Sequence, residues 1–198
     1  MPTSRYASAR QQAPHDLRKF VTAEQQRFLR EEFHGLTLQA TVQRSGVYAP
    51  GTSERQRATF QTGLRREIEA LSKGYERKVR EDTHMGHIES MASRISRQYS
   101  AVLEGGHFRI GPAQKALNLF LKYLWCAGLI RMPPHCPFDS RIIQKLPPID
   151  RLNWTQLDDM KDYSRLVAAA RAAAGTLPLA EWELRVYNTV STAATRAT

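Results

Sequence analysis

The spacing of apolar positions predicts a helical protein. Phe60, Leu64, Ile68 and Leu71 recur at intervals of four, four and three behind Ser53-Glu-Arg-Gln56, a capping-box spacing. That pattern predicts a helix closed at Lys73-Gly74, with Arg57, Arg65, Arg66 and Glu69 on its wet side. An earlier capping box, Thr22-Ala-Glu-Gln25, opens a first helix to about His34, with Phe28, Leu29 and Phe33 inward and Gly35 as its stop. Leu36, Leu38, Ala40 and Val42 then alternate, a weak strand pattern, before a loop at Gly46, Pro50 and Gly51. Thr83 is placed to cap a third helix carrying Ile88, Met91, Ile95 and Val102, which ends at Gly105-Gly106. The next helix is apolar nearly all round, from Pro112 at its first position to Gly128, and is expected in the middle of the fold. After a Pro-rich connection, Asp139 caps a short helix with Ile142, Ile143 and Leu146, stopped by Pro147-Pro148. A helix over roughly 156–174 buries Met160, Tyr163, Val167 and Ala170, and Gly175 follows it. A last helix after Pro178 carries Trp182, Val186 and Tyr187. No repeat and no hairpin-bounded strands occur. The class is all-α, with about seven or eight helices. Residues 1–15 are expected as a flexible basic arm, 16–188 as one helical domain, and 189–198 as a frayed tail.

Composition narrows the partner. The chain has 198 residues, 41% of them hydrophobic, which is enough for a real core. A net charge of +10 favours a polyanion, with nucleic acid first and an acidic membrane surface as the rival. No apolar run is long enough to span a bilayer. The N-terminal stretch has no apolar h-region and reads as an arm, with a faint likeness to a transit peptide. Two cysteines, Cys126 and Cys136, exclude a disulfide framework and a four-cysteine metal site. They fit a reducing, cytoplasmic setting, nucleoid-associated if the cell is bacterial. His84-x-x-His87 puts two imidazoles on one helical face without a clear third ligand, so no metal and no cofactor is expected. Walker A, GxGxxG and GxSxG patterns are absent, against nucleotide and serine hydrolases.

Two residues stand out chemically. Lys115 sits in the first turn of the apolar helix, where the helix dipole disfavours another cation and burial favours the neutral amine. Both effects make a nucleophile of it, while its bland role is to snorkel to solvent. Asp139 serves as a helix cap, and a cap can also face a pocket with its second oxygen. One helix and one connection separate the two.

The segment Ile110-Gly111-Pro112-Ala113-Gln114-Lys115-Ala116 resembles the hairpin of the helix-hairpin-helix DNA glycosylases of the endonuclease-III type, which read roughly Leu-Pro-Gly-Val-Gly-x-Lys-Thr-Ala there. Cys136-Pro137-Phe138-Asp139-Ser140-Arg141 resembles the segment that carries their aspartate. An archaeal 8-oxoguanine glycosylase branch is the more similar in motif. The resemblance implies a two-lobed helical fold with a central helix-hairpin-helix over 105–146. It implies Lys115 as the Schiff-base lysine and Asp139 as the partner aspartate. His107, Arg109, Gly111, Ala113, Gln114 and Arg141 would touch DNA, and Trp125, Phe138 and Trp154 would wall the pocket of a flipped base. The partner the resemblance implies is duplex DNA, and a monomer that needs no membrane and no cofactor is expected. Three features depart from the family: Ala113 replaces the second hairpin glycine, no four-cysteine iron–sulfur loop follows, and the Leu129–Pro137 connection is longer than usual. A connection that kept Asp139 away from Lys115 would reduce the hairpin to a non-catalytic DNA clamp. A helical protein-interaction factor with incidental charge is the third possibility.

Overall fold

A computed structural model of the chain describes residues 21–43, 45–147 and 153–195. The expected arm at 1–15 lies outside these residues. Among the described residues seven α-helices follow in order: α1 Ala23–Thr41, α2 Glu54–Ser72, α3 Glu81–Tyr99, α4 Ile110–Cys126, α5 Ser140–Ile143, α6 Met160–Ala174 and α7 Leu179–Thr195. Among the described residues there is no strand, only an isolated bridge between Tyr48 and Leu103. One continuous apolar cluster runs from Val42 through all the later helices to Trp182.

The elements with a strong apolar stripe form where the sequence predicts. Ser53 and Gln56 make the full reciprocal capping box of α2, and Phe60, Leu64 and Ile68 are fully buried. Thr22 and Gln25 do the same for α1. Gly63 lets α2 meet α3 closely, since a Cβ there would lie 1.9 Å from the Tyr99 hydroxyl. α4 is the central element: 13 of its residues are buried, and α1, α2, α3 and α6 all pack on it.

Several boundaries differ from the sequence pattern. α1 does not stop at Gly35 but continues to Thr41, which removes the candidate strand at 36–42. The buried stripe of α1 is polar, His34, Thr37 and Thr41, at helical spacings of three and four. Apolar periodicity misses such a stripe, and the one-per-residue cost of a helical glycine, about 1 kcal/mol, is offset by packing on α4. His34 stacks on Phe120 at 4.1 Å and Phe33 on Tyr123 at 5.3 Å. Phe28, expected inward, is 63% exposed. α3 starts at Glu81 with Arg80 in the cap position, so Thr83 lies inside the helix. Val102 is buried from a short 3-10 turn after α3. Gly105 and Gly106 then turn the chain with φ of 63° and 76°. α4 begins two residues before Pro112, which still falls in the first turn where its missing N–H has no helical partner to lose. α6 begins at Met160 behind the Asp159 cap, later than 156. α7 runs on through the expected tail from Thr189 to Thr195.

Candidate active site

The connection after α4 decides where Asp139 falls. Gly128, at φ 70°, turns the chain back after Cys126. The Arg131 N–H donates to the Tyr75 carbonyl at 2.9 Å, and His135 and Cys136 are buried. The chain therefore returns along the helix it has just left. About 16 Å of helix axis separates Cys126 from Lys115, and an extended chain advances roughly 3.3 Å per residue. The long connection covers that return with slack, so its length does not keep Asp139 away.

Asp139 ends the return as the N-cap of α5. Its Oδ1 accepts from the N–H groups of Arg141 and Ile142 at 3.1 and 3.2 Å. Its Oδ2 lies 3.4 Å from Lys115 Nζ. The lysine side chain is 7% exposed and the aspartate 34%. Lys115 Nζ also sits 4.1 Å above the ring of Trp154, whose Nε1 donates to Ser140 Oγ at 3.1 Å. These groups line a cavity of about 510 Å³ that opens to solvent. Arg141 and Tyr187 stand on its wall, 5.3 Å apart.

Lys122 and Glu183 are site residues that the motif comparison misses. Lys122 lies two turns beyond Lys115, on the same face of α4. Its Nζ donates to Glu183 Oε1 at 2.8 Å and lies 2.7 Å from Oε2. Both side chains are buried, and Nζ is 4.4 Å from the Tyr187 ring centre. Burial raises the Glu183 carboxyl above its ordinary range, and the Lys122 ammonium opposes that rise. The available signal was a second lysine in an apolar helix, together with a glutamate on the buried face of α7.

Other sequence candidates are placed differently. Gly111 is not open to a phosphate: its N–H donates to the Leu157 carbonyl at 2.8 Å, and a Cβ there would fall 1.6 Å from the Trp154 carbonyl oxygen. The 154–157 segment thus covers the start of α4, which only glycine permits. Ala113 is fully buried, so it offers DNA no contact surface. Gln114 is also fully buried and turns inward. Its Nε2 donates to the Phe138 carbonyl at 2.7 Å, and its Oε1 accepts from the Phe138 N–H at 3.2 Å. Phe138 is a core side chain packed edge-on to Tyr163 rather than a pocket wall. Trp125 packs on the core near the far end of α4, away from the cavity lining. Trp154 is the expected aromatic that does reach the cavity.

Three expected DNA contacts remain at least partly accessible. Arg141 is exposed, and Arg109 is half-buried at the cap of α4. His107 Nε2 lies 2.7 Å from Asp158 Oδ2, and its Nδ1 is 3.1 Å from the Gly105 carbonyl. That carbonyl first, and Asp158 second, raise the imidazole above its ordinary value.

Behind the site runs a buried polar chain. Asn118 donates to Gln114 Oε1 and to the Tyr163 hydroxyl at 3.2 and 3.3 Å. The Tyr163 hydroxyl lies 2.7 Å from His135 Nδ1, and His135 Nε2 is 3.2 Å from Glu81. His84 and His87 both turn Nδ1 onto the Tyr75 hydroxyl, at 2.7 and 3.0 Å. Among the described residues no group of three or more His, Cys, Asp or Glu side chains is placed to hold a metal ion. Among the same residues no helix is long and apolar enough to cross a membrane. No protein-family model, curated protein or solved structure matches this chain.

Proposed function

We propose that the protein is a DNA glycosylase with lyase activity, built on a helix-hairpin-helix glycosylase-like fold, that removes a damaged or modified base through Lys115 and Asp139. The observation that carries this reading is the 3.4 Å separation of Lys115 Nζ and Asp139 Oδ2 at the edge of an open cavity. That cavity, about 510 Å³, falls in the usual range for small-ligand sites. An enzyme that does chemistry on a base must take it out of the duplex, and aromatic faces then hold it. Tyr187, 42% exposed, supplies such a face here, while Trp154 is buried under the Lys115 ammonium and backs the cavity. The net charge of +10 supports a polyanionic substrate.

In the first step the Lys115 Nζ lone pair bonds to C1′ of the sugar while the C1′–N bond to the base breaks. The base leaves with that electron pair and takes up a proton. Asp139 Oδ2 accepts the proton released from Nζ, and its charge stabilises the oxocarbenium character of C1′. Opening of the C1′–O4′ bond, with a proton passing to O4′, gives the iminium. Loss of a 2′ proton then expels the 3′ phosphate by β-elimination. A backbone clamp would need a surface other than Gly111, whose N–H is engaged, and Ala113, whose side chain is buried, and these two features also depart from the hairpin of the resembled family.

The test is borohydride trapping on DNA carrying 8-oxoguanine, oxidised pyrimidines or abasic sites. Hydride addition to the iminium leaves a stable covalent adduct. Wild-type protein forms it on at least one substrate, and Lys115→Gln forms none. An adduct in the Lys115→Gln variant would move the nucleophile elsewhere, and no adduct on any substrate would sink the reading.

A further inference from the structure

We infer that Gln114 is a positioning residue that sets the Asp139 carboxylate against Lys115 by gripping the backbone of Phe138. The inference rests on the proposed catalytic role of the Lys115–Asp139 pair. It starts from a register. Residues 114 and 138 are joined by two hydrogen bonds, and their chain neighbours 115 and 139 face each other across 3.4 Å. The Gln114 amide donates to the Phe138 carbonyl and accepts from the Phe138 N–H. Two bonds to one residue fix both its position and its rotation about the chain. The next residue is Asp139, and its Oδ1 is fixed in turn by the first turn of α5. With the backbone held before the carboxylate and the side chain held after it, Oδ2 has one place to be.

The grip is itself held. Asn118, one turn along α4, donates to Gln114 Oε1, and the Tyr163 hydroxyl on α6 ties Asn118 to His135 of the same returning connection. Gln114, Asn118 and His135 are all fully buried. An apolar residue at 114 would strand the Phe138 N–H and carbonyl in the core, so Gln114 also satisfies backbone there. A purely structural role predicts lost stability alone. A positioning role predicts lost chemistry that runs through Asp139.

The experiment is a double-mutant cycle on full-length protein, using whichever substrate the wild type traps. Gln114→Leu removes both bonds. Gln114→Glu keeps the acceptor for the Phe138 N–H and loses the donor, and it carries the test if the leucine variant does not fold. A displacement of about 1 Å at a reacting group costs roughly 10²-fold in rate. Gln114→Leu is therefore expected to lower the maximal excision rate by about that factor, with the glutamate variant between it and wild type. The DNA concentration for half-maximal rate stays unchanged. In the Asp139→Asn background Gln114→Leu causes no further loss. Losses that multiply in the double variant, a change confined to DNA affinity, or an undiminished rate would each overturn the inference. A wild type that forms no adduct overturns the catalytic reading itself. In that event, hydrogen exchange at the Phe138 amide, equal in wild type and Gln114→Leu, would show separately that the grip does not exist.

Discussion

α4 carries two lysines on one face, each opposite a carboxylate in the same cavity, and the two pairs differ in kind. Lys122 and Glu183 are both nearly sealed, with both carboxylate oxygens within 2.8 Å of the ammonium. Lys115 and Asp139 stand further apart, at 3.4 Å, and the aspartate keeps a third of its side chain in solvent. The first pair spends its attraction on itself. The second leaves one oxygen capping α5, the other facing the amine, and room beside them for a ligand. A tight buried pair resists losing either member. A loose pair at an open cavity can exchange a proton and admit a substrate. Under the proposed reaction, two lysines of the same helix part into a structural and a chemical role, and the partner decides which is which.

The largest expected effect tests that division by removing each lysine. Lys122→Met leaves Glu183 buried without its cation, and breaking a buried pair costs about 3–5 kcal/mol. Lys115→Met leaves Asp139 partly solvated and still capping α5, so its loss is expected to be the smaller of the two. Urea unfolding at pH 8 measures both, and equal losses would erase the contrast. The pH dependence sharpens it. Burial already raises the Glu183 carboxyl, and without Lys122 it rises further. A carboxyl raised in the folded state contributes stability that is present below its unfolded value and lost as pH rises through its folded value. The deficit of Lys122→Met relative to wild type therefore shrinks between pH 8 and pH 5. Replacing Glu183 by Met as well recovers part of the loss.

The same pH series reads the polar chain behind the pairs, with the opposite sign. Burial is the main cause that lowers His135 to about 3 and holds His84 well below its ordinary value. Neutral in the fold and protonated when unfolded, each makes the unfolded chain bind more protons below pH 6.5. The stability they protect is present above pH 6.5 and lost as pH falls below it, for His135 down to about 3. The slope approaches about 1.4 kcal/mol per pH unit for each histidine. His107, raised by the Gly105 carbonyl and Asp158, works the other way, but it is exposed. Wild-type protein is expected to lose stability steadily from pH 6.5 to 4.5, and His135→Asn to flatten that fall. A flat wild-type profile would mean that these imidazoles are solvated, and the rigid backing of Asp139 with them.

How much of this was readable beforehand follows from the range of the interactions. α2 was readable because its caps and apolar stripe are local. The second half of α1 was not, because its buried stripe is His34, Thr37 and Thr41. Lys115 and Asp139 stand out in the sequence as an odd cation near a helix start and a good cap. The structure starts α4 five residues before Lys115, which puts the lysine in the second turn rather than the first. The meeting of the two depends on a connection that only the fold traces. Glu183 was hidden because its partner lies 61 residues earlier. The motif resemblance points Gln114 and Gly111 outward, whereas both face inward, because Phe138 and the 154–157 segment close over them.

The smallest effect on stability separates the cap duty of Asp139 from its proposed chemical duty. As an N-cap its Oδ1 accepts two backbone N–H bonds, and replacing such a cap by alanine costs about 1 kcal/mol. Asparagine caps as well as aspartate, so Asp139→Asn keeps that stability and removes only the charge facing Lys115. Under the proposed reaction both variants lose excision, by roughly 10²–10⁴-fold, the usual contribution of a positioned acid–base group. Only the alanine variant also loses thermal stability. Melting curves set beside single-turnover excision rates distinguish the two duties. An asparagine variant with wild-type rate would leave Asp139 as a cap alone, and the open pair would then be no more chemical than the closed one.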